Sequence, residues 1–200
     1  MILLRALLLV GILGAANADE FTATVTDPVY PDALFPQVLF ETSAGDFTVE
    51  LDRRRAPVTV DNFLRYVEAE TWNGTIFHRV IEGFVVQGGG YLPDATPIET
   101  RQAIMNESGN GLTNRKRAIA MARYEDPHSA TSQFYFNLAD NESLDPNRRN
   151  WGYTVFGQVI EGFEVVEAIG AVATDYSDAI GAGDVPVEAI TLRRVTLTQQ

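Results

Sequence analysis

One arginine stands inside a run that otherwise reads as buried strand. The run is FHRVIEGFVVQGGG, Phe77–Gly90; Phe77 to Ile81 and Phe84 to Gln87 are apolar or β-branched at most positions, and Gly83 marks a turn between them. Arg79 and Gln87 are the exceptions. A guanidinium is rarely buried without a partner, because a desolvated charge is costly. On the residues alone two readings stand. Arg79 points to solvent from the polar face of a half-buried strand, or it sits at the edge of an apolar groove. In the second case Gln87 orients it and its fork of donors faces a ligand carbonyl.

The other chemically capable side chains offer less. His78 is next to Arg79, but strand alternation sends it to the opposite face, which suits a structural role. Asp126, His128, Ser129 and Ser132 have the composition of a hydrolase set, yet no G-x-S-x-G elbow accompanies them. Gly88-Gly89-Gly90 lacks the lysine and the Ser/Thr of a phosphate loop and reads as a turn. There are no cysteines, and the only two histidines lie fifty residues apart, so no metal site is expected. Asn73, Asn106 and Asn141 open N-x-S/T triplets of the kind that arise by chance. The formal charge of −12 argues against nucleic acid or an anionic membrane as main partner.

The elements that must position Arg79 follow from the rest of the chain. Residues 1–18 have a basic n-region at Arg5, an apolar stretch at Ala6–Gly14 and a small-x-small end at Ala16-Asn17-Ala18. That pattern predicts a signal peptide cleaved after Ala18; the apolar stretch is shorter than the roughly 20 residues a bilayer span requires. Residues 19–35, with Pro28 and Pro31, read as an extended arm. The domain is expected over 36–198. Val38–Thr42 and Phe47–Leu51 alternate around a hairpin turn at 43–46. A helix is expected from Pro57 to about Glu70, with Thr59 as N-cap and Val60, Phe63, Leu64 and Val67 on one apolar face. Strands follow at Thr75–Ile81, Phe84–Gly88, Ala118–Arg123, Phe134–Leu138, Thr154–Ile160 and Ile190–Thr198, with a second helix at Phe163–Ile169. The fold class is mainly β: many short strands, two helices and glycine-rich turns predict a closed antiparallel barrel, which leaves no exposed edges.

The segment from Phe77 to Gly89 resembles the signature of the cyclophilins, FHRVI-x-GF-x-x-QGG, and matches every fixed position of it. The resemblance continues through MAR at Met121–Arg123, TSQFYFN at Thr131–Asn137, LD at Leu144–Asp145 and VFGQVIEG at Val155–Gly162. It covers roughly Pro36 to Thr198 and is nearest to the bacterial exported branch. It implies an eight-stranded closed barrel capped by two α-helices and peptidyl-prolyl cis-trans isomerase activity, which needs no metal or other cofactor. Arg79 then matches the catalytic arginine and Gln87 the glutamine that helps hold it. Phe84, Val85, Tyr135 and Leu144 match the socket for the proline ring. Ala122, Arg123 and Gln133 match positions along the peptide groove, and Tyr153 falls at the socket rim. The partners implied are proline-containing peptides and unfolded protein clients, met by a monomer in the periplasm or after secretion, with no stable membrane association once the leader is cleaved.

Three departures from the family pattern bear on the site. Val85 replaces a methionine common in eukaryotic members. Tyr135 replaces the usual phenylalanine at the socket floor, and its hydroxyl needs a partner if buried. Ser143 stands where a tryptophan contacts cyclosporin, so weak cyclosporin binding is expected. The alternative reading is a non-catalytic cyclophilin-like module or holdase chaperone, which Tyr135 keeps open. A third is a scaffold protein using its 19–35 arm.

Overall fold

The computed structural model describes residues 27–199. The expected leader and its cleavage point, with Asp19–Thr26 of the arm, lie outside the described residues. The elements are β1 (Gln37–Thr42), β2 (Gly45–Leu51), α1 (Pro57–Glu68), β3 (Thr75–Ile76), β4 (Arg79–Ile81), β5 (Val85–Gly88), β6 (Ala118–Met121), β7 (Phe134–Asn137), β8 (Val155–Glu161), α2 (Phe163–Gly170), β9 (Thr174–Ser177), β10 (Ala182–Pro186) and β11 (Thr191–Gln199). Nine strands form one antiparallel sheet in the order β3-β11-β1-β2-β8-β6-β7-β5-β4, and β9 and β10 make a separate ribbon.

The sheet curls so that its two ends belong to one stretch of chain. The strand expected over Thr75–Ile81 is split between β3 and β4, because it changes partner midway. Phe77 N–H donates to the Ile190 carbonyl at 3.0 Å and His78 N–H to the Gln87 carbonyl at 3.1 Å. The ring of eight expected strands is therefore a curled sheet of nine, completed by covalent chain at Phe77-His78 and not strictly closed by hydrogen bonds.

Period-2 alternation divides the central strands between two clusters. Phe134 and Phe136 of β7, Ile119 and Met121 of β6, and Val86 of β5 enter the main core with Phe40, Phe47, Phe63 and Trp72. Rings there meet edge-on or stacked, as in Phe40–Phe47 at 4.9 Å and Phe47–Phe136 at 5.1 Å. The alternate residues Tyr135, Ala118, Ala120 and Val85 face the other way and form a smaller cluster with Val155. One set of strands thus builds the core on one face and a second apolar hollow on the other.

Helix α1 buries Val60, Phe63, Leu64 and Val67, as its periodicity predicts. Its start differs from the expectation. Pro57 lies at the first helical turn, after Ala56, and Thr59 is inside the helix instead of capping it. The first-turn donors are satisfied from a distance: the Glu107 carboxylate accepts from Val58 N–H, Thr59 N–H and Thr59 Oγ1 at 3.2, 2.8 and 2.7 Å. The described part of the arm is docked instead of extended. Arg53 donates through Nε to the Ala33 carbonyl and through Nη2 to the Val29 carbonyl, and Val29 N–H donates to Asp61.

Candidate active site

The smaller cluster opens into a cavity of about 260 Å³ lined by Arg79, Phe84, Val85, Gln87, Ala122, Arg123, Tyr135, Leu144 and Tyr153. Nine of the ten site residues expected from the sequence therefore meet at one place. The tenth, Gln133, is attached to it: its Oε1 accepts from Gln87 Nε2 at 2.8 Å, and its carbonyl accepts from Ala122 N–H at 2.9 Å. A larger hollow of about 610 Å³ lies beside α1. Its lining holds no aromatic residue, and Arg53 and Asp61 there bind the arm backbone at Val29.

Each wall has a local cause. β4 and β5 pair antiparallel with Arg79 opposite Gln87 and Ile81 opposite Val85, so Arg79, Gln87 and Val85 share a face. Phe84 sits in the turn before β5, held by Leu138 N–H and Asn141 Nδ2 donating to its carbonyl at 2.9 and 3.0 Å. Leu144 ends the short 3₁₀ turn Glu142–Leu144, and Tyr153 N–H donates to the Leu144 carbonyl at 3.0 Å. That approach requires Gly152, whose φ is +67° and where a Cβ would lie 2.4 Å from the Pro146 nitrogen. Arg123 stacks over the Tyr153 ring at 4.6 Å and donates through Nε to the Gly152 carbonyl at 3.0 Å. Its charge is thus tied to the rim.

The hydroxyl of Tyr135 has the partner its burial demands. It donates to Asn114 Oδ1 at 2.7 Å. Asn114 is 1% exposed, and its backbone N–H and Nδ2 both donate to Asp145 Oδ1 at 2.7 and 2.9 Å. Burial holds the Tyr135 hydroxyl well above the usual phenol range, so it stays protonated and remains a donor. The polar end points into this network and the ring is left to floor the cavity. Nothing in the local sequence singles out Asn114; the need for a partner was visible, its identity was not.

Gln87 lies directly across the ladder from Arg79. Its side-chain amide is bonded to Gln133, and the charged neighbour of Arg79 is Asp184 of the ribbon, 3.9 Å from Nε. The other candidates take structural places. Ser132 Oγ donates to the Gly89 carbonyl at 2.8 Å, Ser129 Oγ to the Asp126 carbonyl at 2.6 Å, and His128 Nδ1 accepts from Asn106 N–H at 3.1 Å, so the hydrolase-like set is a loop scaffold. Gly89 is packed where a Cβ would meet Phe134 and the Ser132 carbonyl at 2.8 Å.

His78 is buried with its ring 4.9 Å from that of Tyr91. Burial lowers its pKa to about 4, so the native imidazole is neutral. The unfolded chain takes up that proton near pH 6.5, the folded chain only near 4. Between these values the unfolded state binds more protons and stability falls as the pH is lowered, by at most about 1.4 kcal/mol per pH unit from this group; above pH 6.5 the group has no effect. Urea unfolding is expected to show this slope in the wild type and a shallower one in His78→Gln over that window. Identical slopes would mean that His78 does not set the acid limb.

The cyclophilin-type peptidyl-prolyl cis-trans isomerase family matches residues 37–197. The chain belongs to that family. Among its relatives, peptidyl-prolyl cis-trans isomerase A of Dickeya dadantii (strain 3937) is 45% identical over 161 residues, covering 80% of this chain and 85% of that protein. Isomerase B of Escherichia coli (strain K12) is 43% identical over 165 residues, covering 81% and 99%. A cyclophilin-type isomerase from Cryptosporidium parvum shares the fold, with a TM-score of 0.68 at 24% identity over 83% of this chain and 99% of that one. The curled sheet and two helices of this cyclophilin are those of its family.

Proposed function

We propose that the cavity between β4, β5, β7 and the Leu144–Tyr153 loop carries the isomerase activity, acting on X-Pro bonds of extended or unfolded protein segments. The observation that carries the reading is a guanidinium at the rim of a hollow floored by an aromatic ring, with Arg79, Phe84, Tyr135 and Leu144 on one cavity. Rotation about a prolyl amide must break resonance worth roughly 18–20 kcal/mol of barrier. No bond is made or cut. The site has only to bind the twisted amide better than either planar form. Phe84, Val85, Tyr135 and Leu144 receive the pyrrolidine ring and fix one side of the bond. Arg79 donates to the carbonyl oxygen or the prolyl nitrogen as resonance is lost and charge localises. Arg123, Ala122 and Gln133 line the path of the flanking peptide.

The binding-module alternative rested on a polar floor. With the Tyr135 hydroxyl bonded to Asn114, the surface offered to a ligand is the ring itself, and the module reading loses its support. Two-dimensional exchange spectroscopy on a proline peptide tests this. Faster cis-trans exchange in the presence of the protein is expected; binding without faster exchange would overturn it.

The same reading extends to setting. A leader ending at Ala18 supports an exported protein, working in a periplasm or outside the cell as a monomer on newly translocated clients. Ser143, exposed beside Leu144, offers cyclosporin no aromatic contact, and weak binding is expected from titration of the drug.

A further inference from the structure

We infer that Asp184 is a positioning residue for Arg79, holding its guanidinium toward the cavity from the ribbon side. The inference rests on the isomerase reading of the cavity and adds to it a residue that lies outside the socket.

Arg79 is long, and its side chain is 40% exposed. An arginine in that situation samples many rotamers unless something selects one. Gln87, directly across the ladder, has its Nε2 on Gln133. Among the described residues, Asp184 is the charged group that reaches Arg79, with Oδ2 3.9 Å from Nε. A contact on Nε engages the inner edge of the fork and leaves Nη1 for a ligand.

The ribbon is built to make this contact. Ala182 pairs with Ser177 and Val185 with Asp175, so Gly183 and Asp184 together face Tyr176 alone. That is a β-bulge, a device that re-aims a side chain. At the bulge Asp184 takes φ +61°, a left-handed conformation uncommon for any residue with a Cβ. β10 lies against β4, the strand that bears Arg79. A regular ribbon would turn position 184 to the other face.

The pair is half exposed, so its effect is modest and screened by salt. Asp184→Asn is the informative variant, because asparagine tolerates the same φ and removes only the charge. For an X-Pro peptide its kcat is expected to fall about fivefold with KM and melting temperature unchanged. Raising the salt concentration should bring the wild type down toward the variant and leave the variant flat, which a purely structural role would not produce. In an Arg79→Ala background the same change should do nothing further. The ¹⁵N order parameter of Arg79 Nε should also drop in Asp184→Asn, a readout independent of turnover. An Asp184→Asn protein with wild-type kcat and unchanged Arg79 order, or a fivefold loss that persists without Arg79, would overturn the assignment. If Arg79→Ala itself costs no activity, the isomerase reading of the cavity fails instead.

Discussion

Replacing Arg79 by alanine is expected to lower kcat/KM for an X-Pro peptide about a hundred- to a thousandfold, the loss seen when a fixed donor to a developing charge is removed. The socket is untouched, so peptide affinity should change far less than turnover. That split is the signature of an interaction made mainly in the twisted state. Arg79 is 40% exposed at its side chain and lies outside the aromatic core, so the melting temperature should stay near that of the wild type. Lysine at the same position should recover only a small part, because a point charge on a flexible stem does not reproduce a planar fork. A protease-coupled assay decides the matter. Turnover by Arg79→Ala at the wild-type rate would remove the mechanism argued from the cavity.

The largest expected loss of stability near the site comes from Asn114, a residue that touches no ligand. Asn114→Ala should destabilise the fold by about 4 kcal/mol. Its Oδ1 accepts from the Tyr135 hydroxyl and, at 3.3 Å, from Asn137 Nδ2. Its Nδ2 donates to Asp145 at 2.9 Å. Alanine leaves a phenolic hydroxyl buried without an acceptor and takes a donor from a carboxylate. Asn137 is less affected, because its Nδ2 also donates to the Ala118 carbonyl. Tyr135→Phe should cost only about 1 kcal/mol, since it deletes the donor and leaves Asn114 with its other partners. The double variant should recover part of the Asn114→Ala loss, a coupling that urea unfolding of the four proteins measures. Additive losses would show that the hydroxyl and the amide do not stabilise each other. Tyr135→Phe should also keep its isomerase rate within a few-fold, because the ring that floors the cavity is retained.

The strands that make the site were legible because burial follows local period. In FYFN of β7 the alternation sends Phe134 and Phe136 one way and Tyr135 the other, and the two clusters of the structure divide along that line. The apolar face of α1 was legible for the same reason. Its N-terminus was not. Thr59 has the residue type of a cap, but the donors at that end are met by Glu107, distant in the chain and brought there by the tertiary fold. The β9–β10 ribbon was missed because TDYS and AGDVP carry no alternating apolar pattern; the chain there is ordered by packing on β4. The single strand expected at Thr75–Ile81 was divided for a related reason. No turn residue interrupts it, and only the placement of β11 and β5 makes it switch partners at Phe77-His78.

By itself the chain determined which residue types exist for the chemistry and which face of each element they occupy. An arginine, a glutamine and a set of apolar side chains fall on the same side of short strands because side-chain direction repeats every two residues. Tertiary structure alone decided the pairings: Gln87 with Gln133, Tyr135 with Asn114, Arg79 with Asp184. Hydrogen bonds and ion pairs act over about 3–4 Å. Which groups come within that reach depends on the order of strands in the sheet, and no local pattern encodes that order.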